Sequence, residues 1–254
     1  MRLTRVYVDA PLVSGKRVRL EGSAASHITR VLRLRVGAAL TLFNGTGGEY
    51  EASIDKAHGG EVTVAVGAGV AAERESPLDL TLAQGVSRGE RMDLVVQKAT
   101  ELGVSRLVPV LTERSVVRLT AQQSDRKVNH WRAIVIAACE QCGRNRLPVI
   151  APPVPLAEFL RTKPSGGGAP ASDCNDGAAR LLLSPIGTST LKEVARPTGG
   201  ITVLIGPEGG LTEEEEQAAV VAGFTAVRLG PRVLRTETAA IAALALLQRE
   251  FGDL

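Results

Sequence analysis

The chain has 254 residues, 44% of them hydrophobic and 22% charged, which excludes a disordered chain and leaves room for one large domain or two ordinary ones. Its three cysteines, Cys139, Cys142 and Cys174, are odd in number and lack framework spacing, so a reducing, cytoplasmic compartment is expected. The longest apolar run, residues 239–247, is far short of the ~20 residues that span a bilayer, so no membrane role is expected.

No basic-then-apolar leader opens the chain. Net charge is only +3 but is unevenly spread. Residues 1–35 carry eight Lys/Arg against two Asp/Glu, and residues 86–146 carry eleven against six. The stretches between and after them are net acidic. A basic arm and a basic middle point to a polyanion partner, against the plainer reading of a mixed-charge enzyme surface.

Residues 1–73 read as a small β-rich domain. Residues 5–8 (RVYV) and 17–20 (RVRL) alternate as half-buried strands do. Residues 40–43 and 49–54 flank Asn44-Gly45-Thr46-Gly47-Gly48, a hairpin signal, and residues 61–66 alternate again. Several short strands with turns suggest a small barrel. Between them, residues 27–35 read HITRVLRLR, with Arg30, Arg33 and Arg35. A helix there would put Arg30 and Arg33 on one face, where guanidinium groups suit phosphate oxygens. Aromatic residues are scarce (Tyr7, Phe43 and Tyr50), which favours shape and phosphate recognition over base stacking. His27 reads as structural. The charged, proline-ended residues 71–77 mark a domain boundary.

From Leu78 the pattern becomes strands alternating with helices, the mark of a parallel sheet. Strands are expected at 78–86, 107–111, 147–150 and 181–183. One helix is expected at 92–102, closed by Gly103, and another from a cap at Ser124 to Cys142, closed by Gly143. Residues 162–177, rich in Gly, Ser and Pro, read as a flexible insert. Cys139 and Cys142 form a CxxC, but no second pair or HxxxH accompanies it, so neither zinc nor redox chemistry is expected.

The chain is organised around residues 201–239. Residues 201–205 (ITVLI) form a buried strand stopped by Gly206-Pro207-Glu208-Gly209-Gly210. Thr212 and Glu215 have capping-box spacing, and Gly223 ends the helix they open. A strand at 226–229 runs into Gly230-Pro231-Arg232-Val233-Leu234-Arg235, and Thr236 starts a last, apolar helix. Ligands of open α/β sheets sit at the carboxyl ends of strands, where both loops fall. Glutamates 213–216 disfavour a phosphate there, and neither GxGxxG nor GxxxxGK[ST] occurs, so a neutral or cationic ligand is expected.

GPEGGLTEEE followed by LGPRVLRTETA resembles the C-terminal signature of the SPOUT methyltransferases. Within them the chain is similar to the bacterial family that methylates the imide nitrogen, N3, of a uridine in 16S ribosomal RNA. Further matching motifs are QKATELGV with Lys98, Arg114-Ser115, and EQCGR with Arg144. The N-terminal part resembles that family's PUA-like RNA-binding domain through Arg5, the HITRVLRLRVG run and the NGTGGEYEA hairpin.

The resemblance implies an α/β chain with a PUA-like β-barrel at 1–73. It also implies a SPOUT parallel-sheet domain at 78–254 with a C-terminal trefoil knot, a homodimer, and S-adenosylmethionine as methyl donor. It assigns donor contacts to Leu183, Ser184, Pro185, Ile205, Gly206, Pro207, Glu208, Gly209, Gly210, Leu229, Gly230, Val233, Leu234 and Arg235. Arg5, Arg30, Arg33, Arg35, Lys98, Arg114 and Arg144 are the RNA-contact candidates. Methylating an imide nitrogen requires its proton to leave, so a base or an anion-stabilising cation is needed. Arg235 is the candidate cation, and Glu237 and Glu208 are candidates for positioning or proton acceptance. No metal is required. Ribose methylation by a related enzyme and a non-catalytic ribosome assembly factor are the rival readings.

Overall fold

The computed structural model of the protein describes residues 4–115, 120–162 and 177–254. The flexible insert expected at 162–177, with Cys174, lies almost entirely outside the described residues. The chain divides into two units: Met1–Glu75 with Ile136–Leu147, and Ser76–Val135 with Pro148–Leu254.

The alternating stretches of the first unit become β1 (Arg5–Tyr7), β2 (Arg17–Leu20), β3 (Ala39–Phe43), β4 (Glu49–His58) and β5 (Glu61–Val70). They form one sheet in the order β1-β3-β4-β5-β2, antiparallel except for the β1–β3 pair. β1 and β2 end that strand order, and the sheet is curled, as expected of a small PUA-like barrel. Two register shifts in β4 supply the local twist that curls it. Leu40, Leu42, Ile54, Val62 and Val64 are fully buried on its inner face.

Around residues 27–35 the chain forms a short α1 (Gly22–Ser26) and then a π-helical turn, His27–Val31. Leu32 N–H bonds to the His27 carbonyl and Leu34 N–H to that of Ile28, closing the turn with Arg33 in the left-handed region at φ 51°. Arg30 and Arg33 therefore do not share a helix face. The apolar Ile28 is driven into the core and the chain reverses after it.

Residues 136–147 pack with this first unit rather than with the second domain in which the sequence expectation put them. The reason is a polar lock on Arg5, which is 7% exposed. Its guanidinium pairs with Glu49, bonds the Asn145 side chain (2.6 Å) and the Arg144 carbonyl (3.1 Å), and stacks over Phe43. Glu75 accepts from Arg144 and from the Asn145 and Arg146 amides. Glu140 accepts from the Tyr7 amide. Arg5 and Arg144, expected to contact RNA, are thus buried and committed to protein partners. Cys139 is buried, which pushes its thiol up to about 12 and leaves it unreactive.

Glu49 also accepts from Arg74 (2.8 Å). Arg74 and then Arg5, against the opposing cost of burial, hold the Glu49 carboxyl down at about 2 from an ordinary 4.5. Its stabilisation is therefore complete above pH 4.5 and lost as pH falls toward 2. Glu49→Gln is expected to be less stable than wild type at neutral pH and to converge with it as the medium is acidified through that window. Urea titrations at a series of pH values measure this, and a pH-independent difference would refute it.

The second unit is a parallel sheet of β6 (Leu80–Gly85), β7 (Arg106–Leu111), β8 (Val149–Ile150), β9 (Val154–Pro155), β10 (Ala179–Leu183), β11 (Ser189–Thr190), β12 (Ile201–Ile205) and β13 (Thr225–Arg228). The order is β11-β13-β10-β12-β6-β7-β8, with β9 also on β7. β12 is buried at all five positions, as a central parallel strand covered on both faces should be. The helices are α2 (Glu90–Glu101), α3 (Ala121–Cys142), α4 (Leu156–Arg161), α5 (Glu213–Val221) and α6 (Thr236–Phe251). α3 runs through both units and begins before Ser124, capped by reciprocal Thr120–Gln123 bonds. α6 buries Ala240, Ala243, Leu244 and Leu247 and packs on α2. No helix among the described residues is long and apolar enough to cross a membrane.

Candidate functional site

Three neighbouring strands, β13, β10 and β12, end side by side, and their carboxyl-end loops enclose a cavity of about 710 Å³. That is within the roughly 300–1,000 Å³ of small-molecule sites. Leu183, Ser184 and Pro185 come from β10, and Ile205, Gly206, Pro207, Glu208, Gly209 and Gly210 from β12. Leu229, Gly230, Val233, Leu234 and Arg235 come from the loop after β13, with Glu237 from the first turn of α6. Every expected donor-contact residue thus lines one cavity.

The loops are held largely by residues that no sequence motif singled out. Gln84, fully buried at the end of β6, donates from Nε2 to the Gly85 (3.1 Å) and Gly206 (3.2 Å) carbonyls and to Thr236 Oγ1 (2.9 Å). The Thr236 hydroxyl donates to the same Gly206 carbonyl at 2.7 Å. The Gly206 loop and the start of α6 are therefore tied to one side chain. Gly85 packs so closely that a Cβ there would stand 2.4 Å from the Pro207 nitrogen. Arg114, expected among the RNA contacts, braces the loop, donating to the Gly209 (3.0 Å) and Leu211 (3.1 Å) carbonyls. No sequence pattern marks these pairings, because each bond closes over 80 residues or more except the Gly206–Thr236 and Gln84–Gly85 contacts.

The α5 start follows the expected pattern. Thr212 Oγ1 accepts from the Glu215 amide and Glu215 accepts from the Thr212 amide, completing the capping box. The helix ends at Val221, with Gly223 just beyond it at φ 87°, a conformation that glycine adopts freely. Glu215 also accepts from the Glu113 amide, whereas Glu213 and Glu216 line the cavity. Ser184 Oγ donates to Glu216 at 2.9 Å.

Charges of both signs therefore surround the cavity. Arg91, Arg114, Arg228, Arg232 and Arg235 line it beside Glu208, Glu213, Glu216 and Glu237. Glu208 accepts from the Arg88 amide (3.0 Å) and from Arg91 (2.9 Å). Burial opposes its ionisation, but bonds from its own amide, the Arg88 amide, Arg91 and Ser87 hold its carboxyl below the usual range. A carboxylate so committed is a poor proton acceptor. Glu237 differs: its Oε2 is buried and has no partner among the described residues. Arg235, the N-cap residue of α6, is exposed and makes no ion pair among them. Two large apolar side chains on the rim, Ile186 and Val233, are 78% and 79% exposed.

Of the expected RNA contacts, Arg30, Arg33 and Arg35 are exposed and make no ion pair among the described residues. Arg33 is the one described non-glycine residue in the left-handed region. Lys98 is held by Glu101 at 2.9 Å. No group of three or more metal-ligating side chains is found among the described residues.

Residues 74–248 match the family model described as an RNA methyltransferase domain, and residues 20–66 match an RNA methyltransferase PUA domain. The ribosomal RNA small subunit methyltransferase E of Buchnera aphidicola (subsp. Schizaphis graminum) is 32% identical, over 100% of this chain and 98% of its own. The Synechocystis protein of that name is 35% identical, over 95% of this chain and 76% of its own. A crystal structure of a ribosomal RNA small subunit methyltransferase E from Neisseria gonorrhoeae, bound to S-adenosyl methionine, is 37% identical, covers 100% of both chains and superposes with a TM-score of 0.89. The chain belongs to the ribosomal RNA small subunit methyltransferase E family of RNA methyltransferases.

Proposed function

We propose that the chain methylates N3 of a uridine in 16S ribosomal RNA from S-adenosylmethionine, in the cytoplasm and as a homodimer. The observation that carries this reading is the cavity of about 710 Å³, into which every resemblance-assigned donor contact falls. The residues fit the donor. The walls Leu183, Ile205, Leu229 and Leu234 are apolar, loop backbone is available for an adenine edge, and Glu213, Glu216 and Glu237 suit its cationic centres. When bound, S-adenosylmethionine supplies an electrophilic methyl group on a sulfonium.

The chain's own residues then have three tasks. The loops fix the reacting atoms in line, and the Gln84–Gly206–Thr236 bonds keep those loops from drifting. Arg235 presents an unpaired guanidinium to a uracil carbonyl oxygen, which stabilises the anion left when the N3 proton departs. Glu237, with an unpartnered buried oxygen, is the better candidate to accept that proton, and Glu208 serves to hold the loop. The exposed Arg30, Arg33 and Arg35 supply phosphate contacts.

Two finer features of the family are part of this reading. β13 lies beside β10, on the side away from β12, so the chain leaving β12 must return past β10. That order supports a knotted C-terminal segment. The rim residues Ile186 and Val233, and Leu246 at 48% exposure on α6, support a second copy as cover.

The test is methyl transfer to small ribosomal subunits lacking the modification, followed by nuclease digestion and mass spectrometry. N3-methyluridine is the expected product. Ribose-methylated nucleoside, or donor binding without turnover, would refute the reading. Arg30→Ala with Arg33→Ala is expected to weaken RNA binding and lower its salt slope by about 2, since each arginine neutralises one phosphate. Donor affinity should be unchanged. An unaltered slope in filter binding at several salt concentrations would remove both residues from the interface.

A further inference from the structure

A second cavity, of about 200 Å³, lies at the opposite end of the parallel sheet and belongs to no part of the site described above. Its floor is one register row. Arg180 on β10 stands opposite Thr202 on β12, Thr202 opposite Thr81 on β6, and Thr81 opposite Arg106 on β7. Residues level with one another in parallel strands share a face, so these four side chains point the same way. Two residues further along each strand, the same face carries Leu182, Leu204, Ala83 and Val108, all in the apolar core beneath α4 and α5. The row that precedes this core should be apolar if packing alone decided it. Instead it reads Arg-Thr-Thr-Arg.

The polar row is not balanced by charge among the described residues. The Arg180 guanidinium carbon sits over the Phe224 ring, 4.4 Å from its centroid, and the group donates to the Ala222 and Thr162 carbonyls. Its Nε is buried with no acceptor, and no carboxylate pairs with it among the described residues. Burial alone pulls its pKa down. Arg106 likewise has no ion-pair partner among the described residues, and neither threonine hydroxyl has a hydrogen-bond partner there. Among the described residues, Glu158 is the one acidic residue lining the cavity; it is exposed on α4 and within ion-pair distance of neither arginine. A partly buried cation without a counter-charge is costly, and two guanidinium groups, which can only donate, flank two hydroxyls that are free to donate.

We infer that the Arg180-Thr202-Thr81-Arg106 row is a binding site for a tetrahedral oxyanion of phosphate size. The cavity has room for such an ion with bridging water and is too small for a nucleotide. The two guanidinium groups supply charge-assisted bonds and the hydroxyls complete the shell. Along β12, Thr202 stands three residues from Ile205 of the donor cavity, roughly 10 Å at about 3.3 Å per residue, and no residue lines both cavities, so the two can be loaded independently. The phosphate has two sources, a free anion or a phosphate of bound RNA.

The full-length protein is titrated with inorganic phosphate at constant ionic strength, with chloride as the balancing ion, and followed by thermal unfolding and calorimetry. Saturable stabilisation is expected. In Arg106→Gln and Thr81→Val it should weaken by tenfold or more, while S-adenosylmethionine affinity stays within about twofold of wild type. Both variants keep the Arg180–Phe224 stack, so they are expected to fold; matching circular dichroism checks this. Competition then separates the sources. A short 5′-phosphorylated RNA that displaces phosphate identifies an RNA phosphate, and phosphate binding without displacement identifies a free anion. Absence of saturable binding in wild type, or equal binding in the folded variants, overturns the site.

Discussion

Arg235→Ala is expected to lower the methylation rate at saturating donor and RNA by roughly 10²–10³-fold, while the donor dissociation constant changes by no more than about threefold. The side chain is exposed, lines the cavity and has no ion pair to lose among the described residues, so its removal costs the fold little. In the proposed mechanism, what it removes is the positive charge beside the nitrogen that must lose its proton. A uracil imide is a poor nucleophile until it ionises, and a guanidinium bonded to a flanking carbonyl oxygen favours the anion over the neutral base. The loss should therefore appear in kcat and shrink as pH rises and the base ionises without help. Arg235→Lys should recover part of the rate, since the charge returns without the planar fork. Single-turnover kinetics across pH, with calorimetry of the donor, measure both quantities. Equal loss of donor affinity and rate would make Arg235 a donor-binding residue instead.

Gly85→Ala is expected to abolish most donor binding, weakening it by about 100-fold, and to lower the unfolding midpoint. An alanine Cβ would stand 2.4 Å from the Pro207 nitrogen and 2.6 Å from its Cδ. Both atoms belong to a backbone already held by Gln84 and Thr236, so neither side can give cheaply. The Gly206 loop must move by about 1 Å, a displacement that is enough to cost 10²-fold where geometry matters. Gly209→Val is the informative comparison. A Cβ at Gly209 meets Arg114 Cβ at 3.2 Å and the Arg114 carbonyl oxygen at 3.7 Å, a contact that a shift of a few tenths of an ångström relieves. Its effect on donor affinity should be several-fold smaller. If calorimetry finds the two variants alike, the clamp on the β6 side does not set the loop.

Local signals carried much of the second unit. The strand at 201–205, the Thr212–Glu215 capping box, the Gly223 terminator and the final helix from Thr236 stand where the pattern put them, because each depends on residues within a few positions. Short elements were invisible. β9, β11 and α4 have two, two and six residues, too few for a period to register. A helix through residues 27–35 would have put Arg30 and Arg33 on one face, yet the π-helical turn at 27–31 and the left-handed Arg33 part them.

The sequence alone singled out the loops that line the cavity, since neighbouring strands of the parallel sheet end there in glycine- and proline-bearing turns, and their motifs carry the family. Tertiary structure decided what each charged side chain does. Arg5, Arg144 and Arg30 are the same residue type in equally basic stretches. Arg5 and Arg144 are buried and bonded to Glu49, Asn145 and Glu75, and only Arg30 faces solvent. Glu208 and Glu237 both line the cavity, yet one is committed to Arg91 and the other keeps an unpaired oxygen. The physical reason is common to all of them. A local pattern fixes backbone conformation, but the energy of a charge depends on its distance to opposite charges and to water, and those distances are set by parts of the chain far away in sequence.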